Sequence, residues 1–341
     1  MEDITTIGLD LAKHVFQVHG VDRAGEVMVR RRLRRGEVLN FFKSLPACLV
    51  AMEACAGAHH WARQFQEFGH DVRLIPPSRV KPFVGRQKND AADAAAICEA
   101  AQRPSMRFAA VKTEAQQALL LDHRLRDLLI RQRTMMVNAL RGHLAEFGII
   151  AAQGLGGARA LLARVLAPDG LAGIPAAALP ALQTLAAGVR GLDHEVKQIE
   201  ARLKAVRGED DRVKRLMSIP GVGIISATVI AATVPDASLF RSGRDFAAWL
   251  GLVPRQHSSG GKTRLGRISK MGDRYIRRLL IQGAISAIHW GRRKPGFAES
   301  WLGRLLARKP MRLAAVALAN KIARIAWALL AHGEVYRPAI A

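Results

Sequence analysis

Apolar runs and two-residue alternation dominate the first hundred residues and predict strands interrupted by helices. "ITTIGLDLAK" is a short apolar strand ending at Asp10. "HVFQVHGVD" follows, the turn "DRAG" reverses the chain, and "EVMVRRRL" alternates apolar with polar residues. Together these predict an antiparallel three-stranded meander. A helix over "GEVLNFFKSL" then leads to a buried-type strand, "CLVAMEA", with Glu53 at its end. A helix over "AHHWARQFQEFG", a strand over "DVRLIPP" and a helix within "KNDAADAAAI" complete the region.

Beyond residue 106 the strand pattern stops. "TEAQQALLLDHRLRDLLIRQRTMMVNALRGHLAEFG" predicts one long helix, with Thr113 as its N-cap and Gly148 as its stop. The stretch containing "GLGGAR" and "APDGLAGIP" reads as loop. Its glycines do not make a phosphate loop, because no strand precedes them and no lysine follows in register. Leu182, Leu185, Val189, Leu192, Val196, Ile199, Leu203 and Val206 are spaced by alternating threes and fours, an a/d seam that seeks another helix. Its partner is either the preceding long helix or the same helix of a second protomer. Two apolar helices, at residues 275–290 and 311–332, close the chain. The pattern therefore divides into an α/β domain at 1–110, a helical coiled-coil linker at 111–206 and an all-α domain at 207–341.

A meander followed by alternating helix and strand is the order of a ribonuclease H-like (RuvC-like) fold. In that topology Asp10 and Glu53 end adjacent strands, and the last helix crosses them carrying Asp90 and Asp93. Two like charges at i and i+3 repel by roughly 0.2–0.5 kcal/mol. Taken singly, Asp10 fits a strand-end turn, Glu53 a capping acid, and the helical pair a solvated first turn with Asn89 or Asp90 as cap. Taken together, the four carboxylates suit Mg2+, and two such ions about 4 Å apart clamp the attacking and leaving oxygens of a phosphodiester.

Charge sharpens this picture. The 341 residues hold 52 Lys plus Arg against 28 Asp plus Glu, a formal net charge of +24, which points to a polyanionic partner and to nucleic acid first. No uncharged apolar run reaches the roughly 18 residues of a membrane span, and "RLAAVALANKIARIAWALLAHG" is broken by Lys321 and Arg324. Met1 is followed by acidic residues rather than by the start of a signal peptide, so the expected location is cytoplasmic, with the nucleoid. Cys48, Cys55 and Cys98 are too scattered for a zinc site or a disulfide framework and read as small buried hydrophobes. Trp61, Trp249, Trp290, Trp301 and Trp327 read mostly as core, with base stacking as the other use. "RRRLRR", Arg30 to Arg35, is either a grip on RNA or DNA or a solvated strand end.

The last third carries its own candidates. In "LMSIPGVGIISATVIAATV", Pro220, Gly221 and Gly223 precede a helix, as in a helix-hairpin-helix whose backbone N–H groups approach a DNA phosphate; a tight turn between core helices is the other reading. Next, Ser258 and Ser259 precede Gly260 and Gly261. Around them stand Arg255, Lys262, Arg264, Arg267, Lys270, Arg274, Arg277 and Arg278, a flexible loop among cations suited to cradling phosphate.

The succession "GLDLAK", "AMEA", "KNDAADA", "SIPGVG" and "WLGLVPRQHSSGGKTRLGRISKMGDRYIRRLL" resembles the DEDD transposases of insertion-sequence family one hundred and ten, also called bridge-RNA-guided recombinases. The resemblance covers nearly the whole chain. It implies that Asp10, Glu53, Asp90 and Asp93 are a metal-binding acidic tetrad and that Ser259, directly before a glycine, is a nucleophile. It further implies excision and insertion of an element through a phosphoserine link, a noncoding RNA that pairs with donor and target DNA, and a homo-oligomer, dimer or tetramer. The residues alone leave two other classes open. One is a junction-resolving nuclease that uses water and leaves no adduct, and the other is a non-catalytic DNA- or RNA-binding protein.

Overall fold

The computed structural model describes residues 3–85 and 89–337. It divides into two compact units, Met1–Ala115 and Gln116–Ala341.

The first unit is built on a five-stranded sheet. Its strands are β1 (Thr6–Asp10), β2 (Val15–Val21), β3 (Val27–Arg34), β4 (Leu49–Glu53) and β5 (Asp71–Ile75), in the order β3-β2-β1-β4-β5. β1 to β3 form the expected antiparallel meander, while β4 and β5 run parallel to β1. Helices α1 (Val38–Lys43) and α2 (Ala58–Glu67) cover one face, where Ile7, Leu9, Phe16, Leu33, Phe42, Val50, Met52 and Phe65 are fully buried. A single-turn helix α3 (Pro77–Val80) leads to α4 (Asp90–Ala101), which crosses the opposite face. The mixed sheet and its order are those of a ribonuclease H-like domain.

The second unit begins in a long helix, α5 (Glu114–Ala145). The stretch expected to be loop instead forms α6 (Gly154–Leu166). Its glycine-rich start disguises an apolar continuation whose Leu161 and Val165 bury against Leu140, Leu144, Leu182 and Ala186. Helix α7 (Leu179–Ala205) carries the heptad seam. Leu182, Val189, Val196, Ile199 and Leu203 are buried, and Leu185, Leu192 and Val206 are half-buried. Its partner is α5 of the same chain. Asp122 pairs with Arg202 (2.6 Å), Arg126 with Glu200 (2.6 Å), and Arg133 with Asp193, an order that makes the two helices antiparallel.

Helices α8 (Asp211–Met217), α9 (Ile224–Thr233), α10 (Gly243–Trp249), α11 (Arg274–Gly291), α12 (Trp301–Arg308) and α13 (Met311–His332) pack around a second apolar core. Helix α13 is long and apolar enough to cross a bilayer, and its Ala315, Ala319, Ile322, Ala323 and Ala326 lie in that core. The expected all-α character is corrected here. Strands β6 (Pro254–Gln256) and β7 (Leu265–Ile268) form an antiparallel hairpin in the Ser/Gly stretch. Both strands are short and nearly fully exposed, and the apolar residues of β7, Leu265 and Ile268, stand three apart, so no apolar alternation announced them.

Two smaller expectations are also corrected. Cys48 and Cys98 are buried, but Cys55 is exposed in the loop between β4 and α2. Among the tryptophans, Trp249, Trp290 and Trp301 are exposed, and only Trp61 is a buried core residue.

Candidate active site

Strand pairing places the first two acids. Leu9 of β1 pairs with Met52 of β4, so Asp10 and Glu53 stand one step further on, side by side at the carboxyl ends of parallel strands. Both are half-buried. The other two come from α4, whose N-cap is Asn89: its side chain accepts a hydrogen bond from the Ala92 N–H at 2.8 Å. With the cap supplied by Asn89, Asp90 and Asp93 occupy the first turn, where the positive end of the helix dipole favours negative charge.

Helix α4 comes close because Gly8 lacks a side chain. A Cβ on Gly8 would lie 2.5 Å from the Cys98 backbone nitrogen and closer still to the Ala94 carbonyl oxygen, so any larger residue would push the helix off the strand. The sequence carried a signal for this, since a glycine within a buried strand marks close approach of another backbone.

Carboxylate oxygens of Asp10, Asp90 and Asp93 lie within 4.8 Å of one another, with Glu53 beside them. Burial, followed by the charges of Asp93, Asp90 and Glu53, pushes the Asp10 carboxyl up to about 6. Among the described residues no basic side chain pairs with Asp10, Asp90 or Asp93. A cluster of hard oxygen donors with uncompensated mutual repulsion fits a divalent cation of the Mg2+ type.

The serines lie in the second unit, at the tip of the β6–β7 hairpin. Gly260 and Gly261 both have positive φ, 55° and 76°, and the Lys262 N–H donates to the Ser259 carbonyl at 3.0 Å. This is the pattern of a type I′ turn, which needs left-handed backbone at both central positions. The Ser258 hydroxyl accepts the Arg264 N–H at 3.0 Å, whereas among the described residues no group bonds to the Ser259 hydroxyl. Arg255, Lys262, Arg264 and Arg267 are exposed along the hairpin and Lys270 and Arg274 just beyond its base, with no carboxylate paired to any of them among the described residues.

Arg277 and Arg278 leave that group. Arg277 is buried and donates to the carbonyls of Leu250 (2.9 Å) and Met271 (2.7 Å), while Arg278 pairs with Asp127 of α5. Both hold helices in place, a distinction that sequence spacing cannot make among eight neighbouring cations.

The Pro220–Gly223 turn joins α8 to α9. Gly221, at φ +90°, rests backbone to backbone on Gly283 of α11, where an added Cβ would lie 2.6 Å from the Gly283 oxygen. Gly223 is the N-cap of α9, with open space around its Cα.

The mixed sheet and its crossing helix fit a DEDD transposase domain, and known sequences match the chain as such. The DEDD transposase model of IS110 elements matches residues 7–149, and the model described as the transposase IS116/IS110/IS902 family matches residues 213–299. A probable family 20 transposase of Pseudomonas aeruginosa is 52% identical over 98% of this chain and 99% of its own. A putative transposase of Sinorhizobium fredii is 46% identical, covering 99% and 87%. The transposase for insertion sequence element IS1111A of Coxiella burnetii is 42% identical, covering 99% and 92%. The chain belongs to the IS116/IS110/IS902 family of transposases, enzymes that cleave and transfer DNA.

Proposed function

We propose that this transposase excises and inserts its insertion sequence with two sets of groups, the acidic tetrad Asp10, Glu53, Asp90 and Asp93 and the nucleophile Ser259. The carrying observation is the convergence of Asp10, Asp90 and Asp93 within 4.8 Å, on elements far apart in sequence. These acids and Glu53 would hold Mg2+, taken as two ions per site. When bound, the metal polarises the phosphoryl oxygens and stabilises charge on attacking and leaving groups.

The protein's own groups do the rest. Ser259 Oγ gives up its proton and bonds to phosphorus as an ester P–O bond of the strand breaks; the departing strand oxygen takes up a proton and leaves as a hydroxyl, and the other strand end is stored as a phosphoserine for rejoining. Its unengaged hydroxyl at a hairpin tip supports this choice over Ser258, which is tied to Arg264. Arg255, Lys262 and Arg264 neutralise the phosphate, and Arg267, Lys270 and Arg274 extend the basic surface toward flanking DNA. Gly221 and Gly223 present the α8–α9 turn to a DNA backbone. A noncoding RNA that pairs with donor and target DNA supplies sequence choice, a reading that rests on the family resemblance. So do assembly as a homo-oligomer and a place on the nucleoid. Residues 111–206, of which 116–206 lie in the second unit, act as a coiled-coil arm, and residues 207–341 as the strand-transfer domain.

The test is incubation with labelled DNA spanning an element end and its target, with RNA from the element's flanking noncoding region, with and without Mg2+. A protein–DNA adduct on a denaturing gel that needs Mg2+ and Ser259, and is lost with Asp90→Asn, supports the reading. Cleavage without an adduct would make the protein a water-using nuclease.

A further inference from the structure

The acid cluster lies on a sheet face whose far end is lined with arginine. Asp10 pairs directly with Gln17 on β2, and Gln17 pairs directly with Arg32 on the edge strand β3. Directly paired residues project to the same face. Asp10, Gln17 and Arg32 therefore form one cross-strand row on the α4 side. Its two ends are about 9.5 Å apart at two strand spacings. His19–Arg30 and Val15–Arg34 are the neighbouring pairs. By strand alternation Arg30, Arg32 and Arg34 share that face, and Arg31 and Leu33 point to the other. Leu33 is fully buried against the apolar core, and the Arg31 guanidinium lies 5.6 Å from the Phe41 ring centroid, as the alternation requires.

Helix α4 packs over β1 and β2 and leaves this end of the face open, so Arg30, Arg32 and Arg34 are exposed. Among the described residues no carboxylate pairs with their side chains. Three unpaired guanidiniums one residue apart in alternation, in register with a cluster of acids, form a positive rim along one side of a negative site. Charged residues on an edge strand also deter sheet-to-sheet aggregation, but that role does not require them on the α4 face.

We propose that Arg30, Arg32 and Arg34 form a phosphate-binding row that holds the backbone of the DNA strand running into the acid cluster. Each guanidinium offers paired donors to successive phosphate oxygens. The row acts by positioning and takes no part in bond breaking. It rests on the reading that the acid cluster cuts DNA.

The test is a salt titration of binding to a labelled random-sequence DNA duplex, with an RNA duplex of the same sequence as the second arm. The variants are Arg30→Gln/Arg32→Gln/Arg34→Gln, Arg32→Gln alone and Arg31→Gln on the opposite face. Neutralising the row should lower the slope of log affinity against log salt on DNA by roughly 2 to 3, and Arg32→Gln alone by about 0.9, the value for one phosphate contact. Arg31→Gln should leave the slope unchanged. In Mg2+-dependent cleavage, Arg32→Gln should raise KM and preserve kcat. A slope unmoved by either row variant, or moved only on RNA, would overturn the proposal. If wild type never cleaves with Mg2+ yet the row variants still lose slope on DNA, the acid-site reading fails and the row survives as a DNA-binding surface.

Discussion

Gly8 of β1 and Ala94 of α4 are in backbone contact: the hydrogen of the glycine fits beneath the Ala94 carbonyl, and a methyl group does not. That contact sets the height of α4 above the sheet and therefore the distance from Asp90 and Asp93 to Asp10. Gly8→Ala should cost about 1–3 kcal/mol of stability in the first unit, the usual range for overpacking. Its larger effect falls on Mg2+ binding, because the displaced helix carries two of the ligands. Calorimetric metal titration of a variant that still folds checks this, and wild-type affinity would refute it.

The position of Asp10 fixes a pH dependence. Its carboxyl is raised to about 6 by burial first and then by Asp93, Asp90 and Glu53. A carboxyl raised above its unfolded value of 3.8 favours the fold when protonated; this contribution is complete below 3.8 and is lost as pH rises through about 6. Metal needs the ionised form, so apparent Mg2+ affinity should climb with pH up to about 6 and flatten above it. An affinity indifferent to pH across that window would remove Asp10 from the ligand set.

The two serines should separate cleanly. Ser259→Ala should abolish the covalent adduct while leaving DNA affinity intact. Ser258→Ala removes only the acceptor for the Arg264 N–H, an exposed bond worth about 0.5–1 kcal/mol, and should keep the adduct. Gel analysis of both variants decides the assignment, and the reverse pattern would move the nucleophile to Ser258.

A buried histidine in the second unit gives a prediction of opposite sign. His123 Nε2 lies 3.0 Å from the Thr228 hydroxyl, which itself donates to the Ile224 carbonyl at 2.7 Å, and Nδ1 lies 3.3 Å from the Tyr275 hydroxyl. Thr228, committed as a donor to Ile224, accepts from Nε2–H, so Nδ1 is left to accept from Tyr275. Burial first, then Arg126, lowers the imidazole to about 4. Stability from neutral His123 is full above 6.5 and is lost as pH falls toward 4, roughly 3 kcal/mol across the window. Urea unfolding of wild type against His123→Gln should show the acid-side slope disappear with the histidine.

Much of this was readable from the chain because burial wrote it there. The succession of strands and helices followed from which segments were continuously apolar and which alternated, the adjacency of β1 and β4 came with the topology that succession matches, and Asp10 and Glu53 stood out as acids ending buried strands. The seam of α7 was legible for the same reason, although its partner was not: an a/d stripe specifies a helix to bury against but not whose. The ion pairs from Asp122, Arg126 and Arg133 made that choice. What stayed hidden was structure without an apolar signature. The β6–β7 hairpin is held by glycine turn geometry and backbone bonds, and α6 starts on residues that usually end helices. Arg277 and Arg32 look alike in sequence, but one caps carbonyls inside the helical core and the other stands free at a sheet edge.

The antiparallel pair of α5 and α7 has a metrical property. Its ladder steps from Arg126 to Arg133 on one helix while stepping from Glu200 to Asp193 on the other, seven residues each way. At one end the pair meets the core that contains Leu120, and at the other the small core around Leu140 and Leu182. A helix pair built in this way lengthens or shortens by paired heptads, about 10.5 Å at a time. The separation of those two cores is thus an adjustable quantity in this architecture.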